Sequence, residues 1–143
     1  MKAALTLPND IGKLPRLLEF ASEFAGRSQL PSNEMSCLLV ILDELFSNIV
    51  RHGYGESKAS GTIRVDLSFV RGCLRIVIID DSPAFDPLTV AAPDLDLPVS
   101  QRPTGGLGIH FVRSLIDDAR YSRRGERNRL VLVRRIHPSA PAV

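Results

Sequence analysis

Apolar residues along this chain follow two rhythms in turn, and the order of the rhythms predicts the fold. Residues 3–7 read as a short strand ended by Pro8. Over residues 10–25, Leu14, Leu17, Leu18, Ala21 and Phe24 return at helical spacing, with Pro15 tolerable only near the first turn. Ser32 is a candidate N-cap for a second helix running to about His52, where Gly53 and Gly55 stop it. Period two then takes over in Thr62–Val70, with Ile63, Val65, Leu67 and Phe69 on one face and Arg64, Asp66 and Ser68 on the other. Arg71-Gly72 makes a turn into a second strand, Cys73–Asp80, so the pair reads as an antiparallel hairpin.

Residues 87–103 have no clear period, and a long irregular loop inside a compact domain tends to be functional. Gly105 to Gly108 open a third helix over 109–116, with Ile109, Val112, Leu115 and Ile116 as its apolar face. Residues 119–123, a turn at Gly125 and residues 129–136 form a last hairpin. The order βααββ-loop-αββ predicts an α+β two-layer sandwich, a mixed, mostly antiparallel sheet with helices on one face. Residues 1–137 make one domain, and 138–143 a flexible C-terminal tail.

Bulk properties narrow the classes. At 143 residues the chain buries roughly 70% of its unfolded surface in a single core. A net charge of +2 is too small to argue for a nucleic-acid or membrane partner. Arginines 120, 123, 124, 127, 129, 134 and 135 suggest a nucleic-acid patch, yet they fall on strand and turn positions where solvated charges are normal. Cys37 and Cys73 lie in apolar segments without C-x-x-C spacing, so they read as buried reduced thiols. The longest apolar run, residues 37–42, cannot span a bilayer, and the N-terminus has no signal-peptide core, so a cytoplasmic protein is expected.

Three segments carry candidate chemistry. On the second helix, Leu38, Ile41, Leu42, Leu45 and Ile49 form one stripe, and Glu44 and Asn48 sit side by side on its flank, neither fully solvated nor fully buried. The Asn48 amide oxygen suits Mg2+, which takes oxygen ligands and often only one or two from protein. Glu44, one turn earlier, suits a general base toward a water or hydroxyl attacking a γ-phosphate. His52 falls in the stripe and is expected to be packed and hydrogen-bonded. Asp80 ends a buried strand and needs a donor, either the adenine amino group or a backbone amide of the following turn. Asp81 and Asp86 read as turn-forming or exposed. The run Gly105-Gly106-Leu107-Gly108 before a helix offers backbone N–H groups and a helix N-terminus to phosphate. It is neither a P-loop nor a dinucleotide fingerprint. Together these parts hold a nucleotide with its metal, so ATP binding is expected.

In order, these segments resemble the N-box, G1 box and G2 box of the Bergerat-fold ATPases, the superfamily of gyrase, histidine kinases and mismatch-repair ATPases. More narrowly, Leu42 to Asn48 with Arg51-His52-Gly53-Tyr54, the run Asp80 to Pro87 and the run Arg102 to Val112 resemble the anti-sigma factor serine/threonine kinases. The resemblance covers nearly the whole chain. It implies Glu44 as catalytic base and Asn48 as the Mg2+ ligand. It implies that Asp80 contacts adenine and that Gly106 and Gly108 flank the phosphates, with Ser82, Phe85, Thr104, Gly105 and Leu107 among the nucleotide-binding residues. Residues 88–104 would form a lid, with Arg102 at its end near the γ-phosphate. Ser82 stands where the family usually has glycine, so a turn requiring positive φ there would be strained.

The implied function is an ATP-dependent serine/threonine kinase and anti-sigma factor. It would phosphorylate a STAS-domain anti-sigma factor antagonist and sequester a sigma factor, and a homodimer fits the family. One alternative is a non-catalytic ATP-binding switch module, which needs no base beside the metal. The other is a detached histidine-kinase catalytic domain, which is disfavoured because no histidine-bearing dimerisation helix precedes the ATPase segment.

Overall fold

A computed structural model of the protein describes residues 1–55, 61–89, 96–98, 100 and 106–137, with the backbone alone at 106 and 107. The expected lid and tail therefore fall largely or wholly outside the described residues. Strand β1 (Lys2–Pro8) is followed by a 3-10 turn, Ile11–Lys13, and by helices α1 (Leu14–Arg27) and α2 (Ser32–Asn48). Strands β2 (Thr62–Val70) and β3 (Cys73–Asp80), helix α3 (Gly106–Leu115), and strands β4 (Asp118–Arg124) and β5 (Arg127–Arg135) complete it. The sheet order is β1-β2-β3-β5-β4. Every neighbouring pair is antiparallel, so the parallel component allowed by a mixed sheet is absent from it.

The alternation in β2 settles which face is covered. Ile63, Val65 and Leu67 join Leu74, Ile76 and Ile78 of β3 and Leu130 and Leu132 of β5 in a core with the helices. The opposite face of the sheet carries Arg64, Asp66, Arg75 and Arg129 and, among the described residues, has no helix on it. Helix α1 begins later than its periodicity suggests. The Asp10 carboxylate accepts the Gly12 N–H at 2.9 Å and shapes a 3-10 turn, and Pro15 then sits in the first turn of α1, where its missing N–H costs nothing.

Helix α2 starts without the expected cap. Pro31 holds the N-cap position and Ser32 is already helical. A missing cap costs about 1 kcal/mol. Leu38, Ile41, Leu42 and Leu45, all fully buried, each contribute roughly 1.5–3 kcal/mol, so packing decides. A bidentate ion pair adds to this: Arg134 on β5 donates Nε–H to Glu34 at 2.6 Å and Nη2–H at 3.1 Å. That pairing with a buried carboxylate removes Arg134 from the solvated set and holds its pKa above the usual guanidinium range.

The other end of α2 departs further. The α-helix stops at Asn48 and continues as a π-helical turn, Ile49–Tyr54, which ends at Gly55 with φ of +56°. The wider winding shifts the phase of the following residues. His52, expected in the apolar stripe, is exposed, its ring 6.3 Å from that of Phe85, while Gly53 and Tyr54 turn inward. Cys37 and Cys73 are free thiols but only half-buried, a shallower placement than their apolar segments suggested.

Candidate functional site

The end of α2 is enclosed on all sides: Leu45, Phe46, Ser47, Asn48 and Ile49 are buried in succession. Asn48 is therefore wholly buried, not on a half-exposed flank, because a one-stripe projection does not register a helix against which α3 also packs. Its Nδ2 donates to the Glu44 backbone carbonyl at 2.6 Å, which fixes the amide plane. Its Oδ1 is buried with no hydrogen-bond partner. Buried amide oxygens are almost always paired, so this atom is an acceptor held in reserve.

Glu44 is half-buried, and its carboxylate lies against Gly108 of α3. A methyl group added at Gly108 would meet Glu44 Oε2 at 2.0 Å. The two helices thus touch through a glycine and a carboxylate, which requires that position to lack a side chain. Burial raises the Glu44 pKa, Asp43 raises it further, and Arg51 opposes both. A groove of about 670 Å³ opens beside the carboxylate, lined by Glu44, Gly108, His110, Phe111 and Ser114. Among the described residues no three His, Cys, Asp or Glu side chains gather as a metal site. A divalent ion here would take its remaining ligands from water and phosphate, as Mg2+ commonly does. The hard, unpartnered Asn48 oxygen fits that ion.

The second cluster surrounds Asp80. Its Oδ1 accepts the Ser82 backbone N–H at 3.0 Å, the Ser82 hydroxyl, and Asn128 Nδ2 at 3.0 Å. Oδ2 takes part in none of these contacts, so both donors weighed for this carboxylate have room, a backbone amide on one oxygen and a ligand on the other. Ser82 is not in the left-handed region; among the described residues other than glycine, only Gln29 and Arg71 have positive φ. The strain expected of a serine in place of glycine does not arise, and its hydroxyl becomes part of the cluster.

Asn128 sits opposite Asp80 in the β3–β5 register. Its Oδ1 accepts the Phe85 N–H at 3.2 Å, Arg123 Nη1–H at 3.0 Å and the Tyr121 hydroxyl. Arg123 also donates to the Ser82 carbonyl at 3.0 Å. Sequence reasoning missed Asn128, and placed Arg123 among solvated charges. The available signal was the register, since counting back along antiparallel strands puts Asn128 beside Asp80.

The two clusters meet through the π turn. A Cβ on Gly53 would lie 3.0 Å from Ser82 Oγ and 3.3 Å from Phe85 Cδ1, so the turn after β3 presses on bare backbone. Next to it, the Tyr54 hydroxyl donates to Asp81 and reaches the Thr62 carbonyl at 2.9 Å, while Asp81 accepts the Thr62 N–H at 3.1 Å. Burial, then the hydrogen bond to Asp81, pushes the Tyr54 pKa well above the phenol range. Asp81 is exposed as expected, yet it is held by this clasp; Asp86 caps its own turn by accepting the Leu88 N–H at 3.0 Å.

Glu44, Asn48 and Gly108 are thus brought together, as are Asp80, Ser82 and Phe85. Arg102, Thr104 and Gly105 lie outside the described residues, as does the Leu107 side chain, and Gly106 is placed as the first residue of α3.

Comparison with known proteins agrees with this fold. A family model described as histidine kinase-like ATPase domain matches residues 7–134. Serine-protein kinase RsbW of Bacillus mycoides (strain KBAB4) is 28% identical over 98 residues, 66% of this chain and 60% of that protein. The same protein of Bacillus thuringiensis (strain Al Hakam) matches equally. The chain thus spans about 60% of the length of these relatives. Among solved structures, that of the RsbU and RsbW domains of Rv1364c from Mycobacterium tuberculosis matches 100% of this chain and 34% of its own, with a TM-score of 0.69 and 18% identity. The histidine kinase AdeS of Acinetobacter baumannii covers 94% of this chain and 68% of its own at a TM-score of 0.50 and 13% identity. These two likenesses concern the fold.

Proposed function

This chain belongs to the histidine kinase-like ATPase domain family, and from that premise we propose that it is an ATP-dependent serine/threonine protein kinase. Its substrate in this reading is a STAS-domain anti-sigma factor antagonist, and in the alternate state it holds a sigma factor. The observation that carries the reading is the pairing of an unpartnered, buried Asn48 Oδ1 with a Glu44 carboxylate one turn away that abuts the glycine of α3.

In this mechanism Asn48 Oδ1 holds Mg2+, which when bound neutralises charge on the β- and γ-phosphates. The α3 N-terminus and its glycines offer backbone N–H groups to the phosphates. Asp80 would accept the adenine amino group on Oδ2, while Ser82 and Asn128 keep Oδ1 fixed. Glu44 accepts the proton of the attacking serine or threonine hydroxyl. A raised pKa suits that step, because a more basic carboxylate takes a proton more readily. The groove beside Glu44 gives the acceptor side chain a route of approach.

A non-catalytic switch module would leave Glu44 without a task, and this favours the kinase. The test is transfer of labelled γ-phosphate from ATP to STAS-domain proteins encoded nearby. Labelling of a serine or threonine is the expected result. Tight Mg-ATP binding without transfer to any of them would return the chain to the switch-module reading.

A further inference from the structure

The uncovered face of the sheet concentrates the chain's positive charge. Strand alternation and register place seven arginines and Lys2 there, against Asp66 and Asp118 from the strands and Glu126 in the β4–β5 turn. The whole chain has a net charge of only +2, so the remainder of the molecule is net negative. Five of the seven arginines that looked like a dispersed C-terminal run converge on this face with Arg64 and Arg75, while Arg123 and Arg134 turn to the helical side. One of the face's arginines is neutralised locally, Arg64 by Asp66 at 2.8 Å. Another pair, Arg124 and Arg127, stand directly opposite one another, an arrangement that by itself destabilises a hairpin.

The middle of the face is apolar. Val77, itself buried, lies between Asp66 and Val131, with half-buried Ile79 and Val133 on the adjoining rows. Ile79 is flanked in register by Arg64 and Arg129, and Val133 by Arg75 and Asp118. A groove of about 520 Å³ opens on the β1–β3 side of this face, with Val77 at its edge and Lys2, Arg64, Asp66 and Arg75 in its lining. Both signs are present on this face, with positive charge in clear excess, and such an excess around an apolar centre suits steering and docking of an opposite charge.

We propose that the open sheet face is a docking surface for an acidic protein segment that sets apolar side chains on the valine centre and carboxylates on the arginine rim. This goes beyond the proposed kinase reaction and does not depend on it. Charge complementarity selects this occupant over a second copy, since a two-fold pairing of the face would set arginine against arginine. Single-stranded nucleic acid is disfavoured because the face carries no aromatic side chain on which bases stack.

The test uses the full chain and three labelled probes of matched charge: a peptide alternating Glu and Val, a Glu-Ser peptide of the same length, and a DNA oligonucleotide. Fluorescence anisotropy should show the Glu-Val peptide binding about tenfold more tightly than either comparator, a difference of ~1.4 kcal/mol. Arg75→Glu with Arg129→Glu should weaken it by about tenfold or more, and the neutral pair Arg75→Gln with Arg129→Gln by less. Melting temperature checks that each variant is folded, and the Mg-ATP thermal shift should be unchanged, which separates this surface from the nucleotide site. Equal binding of the two peptides, tighter binding of DNA, unchanged affinity in the charge-reversed variant, or dimerisation that this variant abolishes would each overturn the proposal.

Discussion

The polar groups around Asp80 and those at the end of α2 are both buried, yet one cluster is closed and the other is open. At Asp80 the protein supplies the partners itself: Ser82, Asn128, Arg123 and Tyr121 form a network in which Asp80 Oδ1 alone has three contacts. At Asn48 the amide nitrogen is satisfied and the oxygen is not. A closed network rigidifies what it surrounds, and an open acceptor marks where something else is meant to bind. In the proposed reaction this difference would separate recognition of the base, where geometry is largely preset, from holding of metal and phosphate, where the ligand would complete the site.

If the open cluster is where chemistry occurs, Glu44→Gln should lower phosphoryl transfer by about 10²–10⁴ while leaving nucleotide affinity nearly unchanged. Single-turnover transfer and ATP titration, run on the same preparation, measure both. Equal transfer by variant and parent would remove Glu44 from the reaction.

The closed cluster should instead register in stability. Asn128→Ala leaves Asp80 Oδ1 one donor short and deprives the Phe85 N–H of its acceptor. The expected cost is about 2–3 kcal/mol, which urea titration reads directly. A change under about 0.5 kcal/mol would mean that the network is dispensable, since surface substitutions alone reach that size.

Gly108→Ala separates the two ideas. Alanine favours the helix, and the obstacle is the flexible end of Glu44, which can swing aside. Thermal stability should hold or rise while transfer falls about tenfold or more, because the base leaves its position. Parallel losses in both would place the clash in the backbone.

The smallest effect belongs to the clasp that joins the clusters. Tyr54→Phe should cost about 1 kcal/mol through the lost bonds to Asp81 and Thr62. Its sign with pH is distinctive. The folded state holds the Tyr54 proton to higher pH than the unfolded chain does, so this contribution is complete below about pH 10 and is lost progressively as pH rises from there through the higher folded-state pKa. Denaturation midpoints between neutral and alkaline pH should fall less steeply in the variant than in the parent.

Much of this was legible in the chain, and what was not has a physical reason. Strands β2 and β3 have the bounds that alternation gave them, because a half-buried antiparallel strand exposes its pattern residue by residue. The glycines at the start of α3 were legible for the same local reason, although the helix takes in Gly106 and Gly108 where it was expected to begin at Ile109, and so was the spacing of Glu44 to Asn48. The π turn was not: Ile49–Tyr54 keeps apolar spacing while changing its winding, and this moved His52 outward and Tyr54 inward. Asn128 was hidden because its meaning depends on a register set between strands 48 residues apart in partner positions. The arginine face was hidden likewise, since β2, β3, β4 and β5 each contribute part of it.

The central claim is that the unpaired Asn48 oxygen is a metal ligand for bound nucleotide, and calorimetric titration of ATP tests it with and without Mg2+. In the parent protein Mg2+ should tighten ATP binding, and saturation at about 100 times the dissociation constant should stabilise the fold by roughly 2.7 kcal/mol. In Asn48→Ala, shown to be folded by its melting transition, the gain from Mg2+ should vanish while metal-free binding persists. An equal Mg2+ gain in parent and variant would contradict the account.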